Sequence, residues 1–130
     1  MRSIAEKLRE NGYEVYAPFE LKIPNAWDYS QEVWAKKVFD KDIEALDKCD
    51  IFLMISPGRM GSAGTNWEQG YAYAKNKKVI VIQYTNENTS LITFVGSNVF
   101  INTSQDKILE DIFKALSLSV KRDKCETILT

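Results

Sequence analysis

At 130 residues, 45% of them hydrophobic, the chain has the size of one domain, 1–130, whose core needs neither metal nor disulfide to hold it. Lys and Arg number 17 against 18 Asp and Glu, so the excess positive charge that draws proteins to nucleic acid polymers or anionic membranes is missing. Histidine is absent, which excludes Ser-His-Asp and Cys-His nucleophile systems, imidazole general bases and the usual zinc sites together. Any catalysis falls to carboxylates, hydroxyls, lysine or tyrosine, and neither a metal nor a cofactor is expected.

In chain order, Met1 to Asn11 reads as an amphipathic helix with Ile4, Ala5 and Leu8 on one face and Gly12 as its stop. A short strand follows at Glu14 to Ala17. From Pro18 to Tyr29 the chain carries Pro18, Phe19, Pro24, Trp27 and Tyr29, which suits a loop lying over a pocket. Ser30 is placed to cap a long helix that runs to Lys48 through Trp34, Val38, Ile43 and Leu46.

Ile51 to Ile55 is an uninterrupted apolar run between Asp50 and Ser56-Pro57-Gly58, the pattern of a strand buried on both faces of a parallel sheet. A loop of small residues comes next, then a helix from Thr65 to Lys75, then through Asn76 a second buried strand at Val79 to Gln83. That order is a βαβ unit. Beyond a polar connection, Thr85 to Ser90, lie an apolar stretch at Leu91 to Val95, a strand at Val99 to Ile101 and an amphipathic helix from Gln105 to Leu118; the tail, Ser119 to Thr130, shows no period. Alternating strands and helices predict a three-layer, mostly parallel, doubly wound sheet of flavodoxin or Rossmann type, with ligands held at the carboxyl ends of the strands. Unusually for such a domain, the chain opens in a helix.

Two cysteines, Cys49 and Cys125, are too few for a disulfide framework, and Cys49 reads as a buried thiol. With no signal-peptide pattern and no apolar run of membrane-spanning length, a cytoplasmic protein is expected.

The chemistry points to the segment Gly61 to Ala72. Glu68 falls in the first turns of a helix, where the dipole and free N–H groups favour an ionised carboxylate. Gly61, Ser62, Ala63 and Gly64 let a backbone come close to a ligand, and Ser62, Thr65 and Asn66 can bond to hydroxyl or phosphate oxygens. The segment lacks Gly-Lys-Ser/Thr and does not space its glycines as a dinucleotide fingerprint does. By itself, a glutamate at a helix start is a capping residue. Asp50 precedes the buried strand, and Asp42 lies on the helix before it; either by itself reads as a solvated face or a cap, and Asp42 gains weight from the otherwise apolar, aromatic series around it. Trp27, Trp34, Trp67 and Tyr71 could stack on a planar base or belong to the core.

Taken together, Glu32-Val33-Trp34-Ala35, Phe39, Asp42-Ile43, Asp50, and Gly64-Thr65-Asn66-Trp67-Glu68-Gln69-Gly70-Tyr71-Ala72 resemble the nucleoside 2-deoxyribosyltransferase family over about residues 12–103. The resemblance implies transfer of 2-deoxyribose between nucleobases, with Glu68 as the nucleophile that forms a glutamyl-deoxyribose ester. It implies that Asp42 exchanges a proton with the base, and that Ser62, Gly64, Thr65, Trp34, Tyr71 and Ser90 lie around the substrate. Partners would be a nucleoside or nucleotide and a free base, in a homo-oligomer whose sites are shared through the Asn88 to Ser97 segment. Two departures stand out. Ser62 takes the place of a family aspartate and is similar instead to deoxynucleoside 5′-monophosphate N-hydrolases, since a hydroxyl can donate to phosphate where a carboxylate repels it. The family's first strand and its aromatic turn have no counterpart before Met1, so the sheet is expected to lack that central strand, and a catalytically weak nucleotide-binding module is the third reading.

Overall fold

The computed structural model describes residues 2–18, 26–59, 61–119 and 127–130. The expected roles of Phe19, Pro24 and Cys125 lie outside these. The elements are α1 (Arg2–Glu10), β1 (Glu14–Tyr16), α2 (Gln31–Lys48), β2 (Ile51–Ser56), α3 (Ala63–Ala74), β3 (Lys78–Gln83), α4 (Leu91–Val95), β4 (Val99–Asn102), α5 (Ile108–Ser119) and β5 (Thr127–Leu129). The five strands among the described residues are parallel, in the order β1-β5-β2-β3-β4.

The apolar run in β2 explains the layering. Successive side chains leave a strand on opposite faces. Ile51 and Leu53 join Leu8 of α1, Ile80 and Ile82 of β3, Ile128 of β5, and Ile112, Ala115 and Leu116 of α5 in one core. Phe52 and Met54 join Leu46 and Cys49 at the end of α2, Ala72 of α3, Val79 and Val81 of β3, and Leu129 of β5 in the other. The sheet is therefore covered by α1 and α5 on one side and by α2 and α3 on the other.

Local signals set the helix limits. The Ser30 side chain accepts from the Val33 N–H at the start of α2, as its position predicts. Ser62 does the same for Thr65 N–H, so α3 begins at Ala63 rather than at Thr65. At the far end of α3, Asn76 takes φ 61°, the left-handed turn that Asn tolerates and that lets Lys77 N–H return to the Ala72 carbonyl.

Three features differ from the sequence reading or extend it. Leu91–Val95 is a short helix capped by Ser90. A 3-10 turn, Gln105–Lys107, precedes α5. The tail, which shows no period, contributes β5, and β5 occupies the sheet between β1 and β2. In the sheet expected to lack the family's first strand, the place between β1 and β2 is taken by β5, from the other end of the sequence. Among the described strands, β1 is joined to the sheet through β5. No described helix is long and apolar enough to cross a membrane.

Candidate active site

The site lies at the carboxyl ends of the strands, where an open parallel sheet presents its loops. The loop after β2 is shaped by Ser56, whose hydroxyl accepts from Gly58 N–H at 3.0 Å. Gly58 has φ 105°, and a Cβ there would come within 2.9 Å of the Glu87 side chain, so this turn requires glycine. Thr85 Oγ1 donates to the Pro57 carbonyl and ties the turn to the loop after β3. From this anchored turn the chain enters α3.

Because α2 and α3 cover the same face of the sheet, Asp42 and Glu68 come to one cavity of about 390 Å³, lined also by Pro18, Phe39, Ile43, Ser62, Gly64, Thr65 and Trp67. A neighbouring cavity of about 210 Å³ shares Pro18, Thr65 and Glu68 and is closed by β2 together with Leu129 and Thr130. Glu68 thus stands between two spaces, one facing α2 and the other facing the end of β5.

The expectation that the helix start keeps Glu68 ionised is corrected by its surroundings. Glu68 is in the second turn of α3, beyond the turn in which the dipole acts strongly. Burial, and after it the charge of Asp42, push its carboxyl up to about 7. Burial also raises Asp42, while a hydrogen bond from Tyr16 lowers it in part. The Tyr16 hydroxyl donates to Asp42 Oδ1 at 3.2 Å. Tyr16 itself is pushed up to about 12 by burial, then by Asp42's charge and the hydrogen bond to it, with Glu68 adding to the effect. Tyr16 therefore keeps its proton at neutral pH. Both carboxyls of the cavity are thus held above their ordinary range.

Of the residues expected around a substrate, Asp42, Ser62, Gly64, Thr65 and Glu68 meet at the first cavity. Trp34 is half-exposed on α2 and is not among its lining residues. Tyr71 points its hydroxyl to Asp47 Oδ1 at 2.6 Å, and its ring stacks on Trp67 at 5.7 Å. Trp67 meets Phe39 at 5.4 Å, so an aromatic row leads from the cavity wall to Tyr71. Trp27 is exposed on the 3-10 turn Ala26–Asp28. Ser90 caps α4, outside the cavity lining. Asp50 works at the opposite end of the sheet, where Oδ2 accepts from Thr127 N–H at 2.9 Å and fixes the entry of β5. Cys49 is buried, donates to the Leu46 carbonyl and has its thiol pushed up to about 11, chiefly by burial.

Tyr16 and Thr130 were not anticipated. A tyrosine inside a three-residue strand carries no local signal of chemistry; its place beside Asp42 depends on the packing of α2 over β1. Among the described residues there is no cluster of three or more side chains able to hold a metal ion.

A family model described as nucleoside 2-deoxyribosyltransferase matches residues 1–118. Among solved structures, the CMP N-glycosidase of Clostridium botulinum is similar, with a TM-score of 0.53 and 28% identity over 61% of this chain and 74% of that one. A search of curated protein sequences finds no match. The matched span includes Asp42 and Glu68 and stops before β5, and both comparisons concern proteins that act at the N-glycosidic bond of nucleosides or nucleotides: the chain belongs to the nucleoside 2-deoxyribosyltransferase family.

Proposed function

We propose that the protein cleaves the N-glycosidic bond of a 2-deoxynucleoside and transfers the sugar to a second base. The observation that carries this reading is the pairing of Glu68 with Asp42 across one cavity, on helices that cover the same face of the sheet. Ionised Glu68 attacks C1′ and forms an ester as the C1′–N bond breaks; the bond electrons stay on the base nitrogen, which receives the proton of Asp42. A second base then attacks C1′, its N–H proton passing to the Asp42 carboxylate, and the C1′–O bond electrons return to Glu68 as a carboxylate. Splitting the substitution in this way makes two easier steps through oxocarbenium-like transition states. The aromatic wall of Phe39 and Trp67 supports binding of a planar base beside the carboxylates. Exposed Leu91, Ile92 and Val95 of α4 support a homo-oligomer in which the segment around Ser90 meets a neighbouring site.

A second reading is favoured by Ser62. Its hydroxyl and the first turn of α3 offer an uncharged rim on the cavity, suited to a 5′-monophosphate, and the similar Clostridium botulinum protein is named for action on CMP. Water would then take the place of the second base.

Incubating the protein with deoxyguanosine or dGMP, with and without adenine, separates the readings by their products. Transfer gives deoxyadenosine from deoxyguanosine; hydrolysis gives deoxyribose 5-phosphate from dGMP whether or not adenine is present. Glu68→Ala is expected to remove either activity, lowering kcat by at least about 10³-fold, and full activity in that variant would refute the nucleophile. Nucleotide binding without turnover in the unaltered protein would mark a binding module.

A further inference from the structure

We propose that Tyr16 is a positioning residue that makes Asp42 the proton donor to the departing base, a role that rests on the reading of Glu68 and Asp42 given above. Tyr16 ends β1 at the carboxyl edge of the sheet and reaches across to α2, where its hydroxyl donates to Asp42 Oδ1 at 3.2 Å. It does not line either of the cavities that Glu68 shares, so it acts through Asp42 rather than on the substrate. Among the described residues, this is the hydrogen bond that reaches either carboxylate of the pair.

The geometry divides the work between the two carboxyl oxygens. With Oδ1 held by the phenol, Oδ2 is left to carry the proton and pass it to the base. As the C1′–N bond breaks, its electrons go to the base nitrogen, the proton leaves Asp42 for that nitrogen, and Glu68 closes its bond to C1′. Asp42 then becomes an anion inside a half-buried site. A phenol O–H already aimed at Oδ1 stabilises that anion, because a hydrogen bond to an ionised acceptor is stronger than one to a neutral acceptor. Tyr16 keeps its own proton throughout. The device does more for a base that must be protonated to leave than for one that departs without help.

That difference supplies the test. N7-methylguanine is released from N7-methyldeoxyguanosine as a neutral base without protonation, whereas guanine from deoxyguanosine needs a donor. Rates are measured on both, as nucleosides and as 5′-monophosphates. Tyr16→Phe is expected to lower the kcat ratio of unmethylated to methylated substrate about 10-fold, the scale of one hydrogen bond to a charged group, with KM changed less than about 2-fold. Asp42→Asn lowers the same ratio, and Tyr16→Phe added to Asp42→Asn has no further effect. An equal fall on both substrates, or no fall, overturns the proposal. If Tyr16→Phe is unfolded by circular dichroism, 3-fluorotyrosine at position 16 decides: it keeps the shape, donates more strongly and must move the ratio the opposite way, and an unchanged ratio overturns the proposal. Unaltered protein that cleaves none of these substrates, or Glu68→Ala protein that cleaves them all, overturns the underlying reading instead and the proposal with it.

Discussion

Glu68 shows how far a side chain's surroundings can outweigh its place in a helix. A glutamate near a helix start should be held ionised, but burial and the neighbouring Asp42 act in the opposite direction and raise it to about 7. The proposed reaction needs one proton on the pair and one charge. The free protein is therefore expected to give a bell-shaped kcat/KM profile: activity falls as pH rises through about 7 and the shared proton is lost, and falls again on the acid side as a second proton neutralises both groups. Tyr16, raised to about 12, does not contribute to either limb. Initial rates between pH 4 and 9 check this, and a profile that climbs through 7 and stays high would mean that the proton of Asp42 is not required. Both carboxylates were legible in the sequence because each sits in a motif. Tyr16 was not, because its importance comes from what α2 lays against it.

Elements with strong periodicity were the ones the sequence revealed. The βαβ unit from Ile51 to Gln83 stands out because β2 and β3 are apolar on both faces and the intervening α3 opens with a serine cap. Five-residue α4 was too short to show a period, and a long-range bond holds it instead. Buried Gln69 donates from Nε2 to the carbonyls of Thr93 at 2.9 Å and Gly96 at 3.2 Å, serving the end of α4 that its own backbone leaves unsatisfied. Gln69→Ala is expected to cost about 1–3 kcal/mol by leaving those acceptors without their donor. Urea unfolding measures the loss, and hydrogen exchange should show earlier opening around Phe94 to Gly96. A stability change within error would mean that α4 is held by other contacts.

At the scale of the whole molecule, β5 joins the two cores. Ile128 enters the α1–α5 side and Leu129 the α2–α3 side, and both are fully buried. Ile128→Ala is expected to cost about 2–5 kcal/mol, whereas Leu118→Ala, altering an exposed side chain, costs less than about 0.5 kcal/mol. Shifts in the denaturant midpoint at unchanged slope distinguish the two. The expected sheet type and its helical layers were visible in the alternation of elements, while the place of β5 was not: three residues cannot announce which gap in a sheet they will fill.

That placement also sets an order in time. Glu14 pairs with Thr127, 113 residues further along, so β1 is made well before its neighbour in the sheet. The helices bearing Asp42 and Glu68 are made earlier, but the wall formed by Leu129 and Thr130 is not. A nascent chain therefore carries Asp42 and Glu68 before it has the wall of the second cavity that Glu68 lines, so that cavity is completed by β5 rather than by the helices.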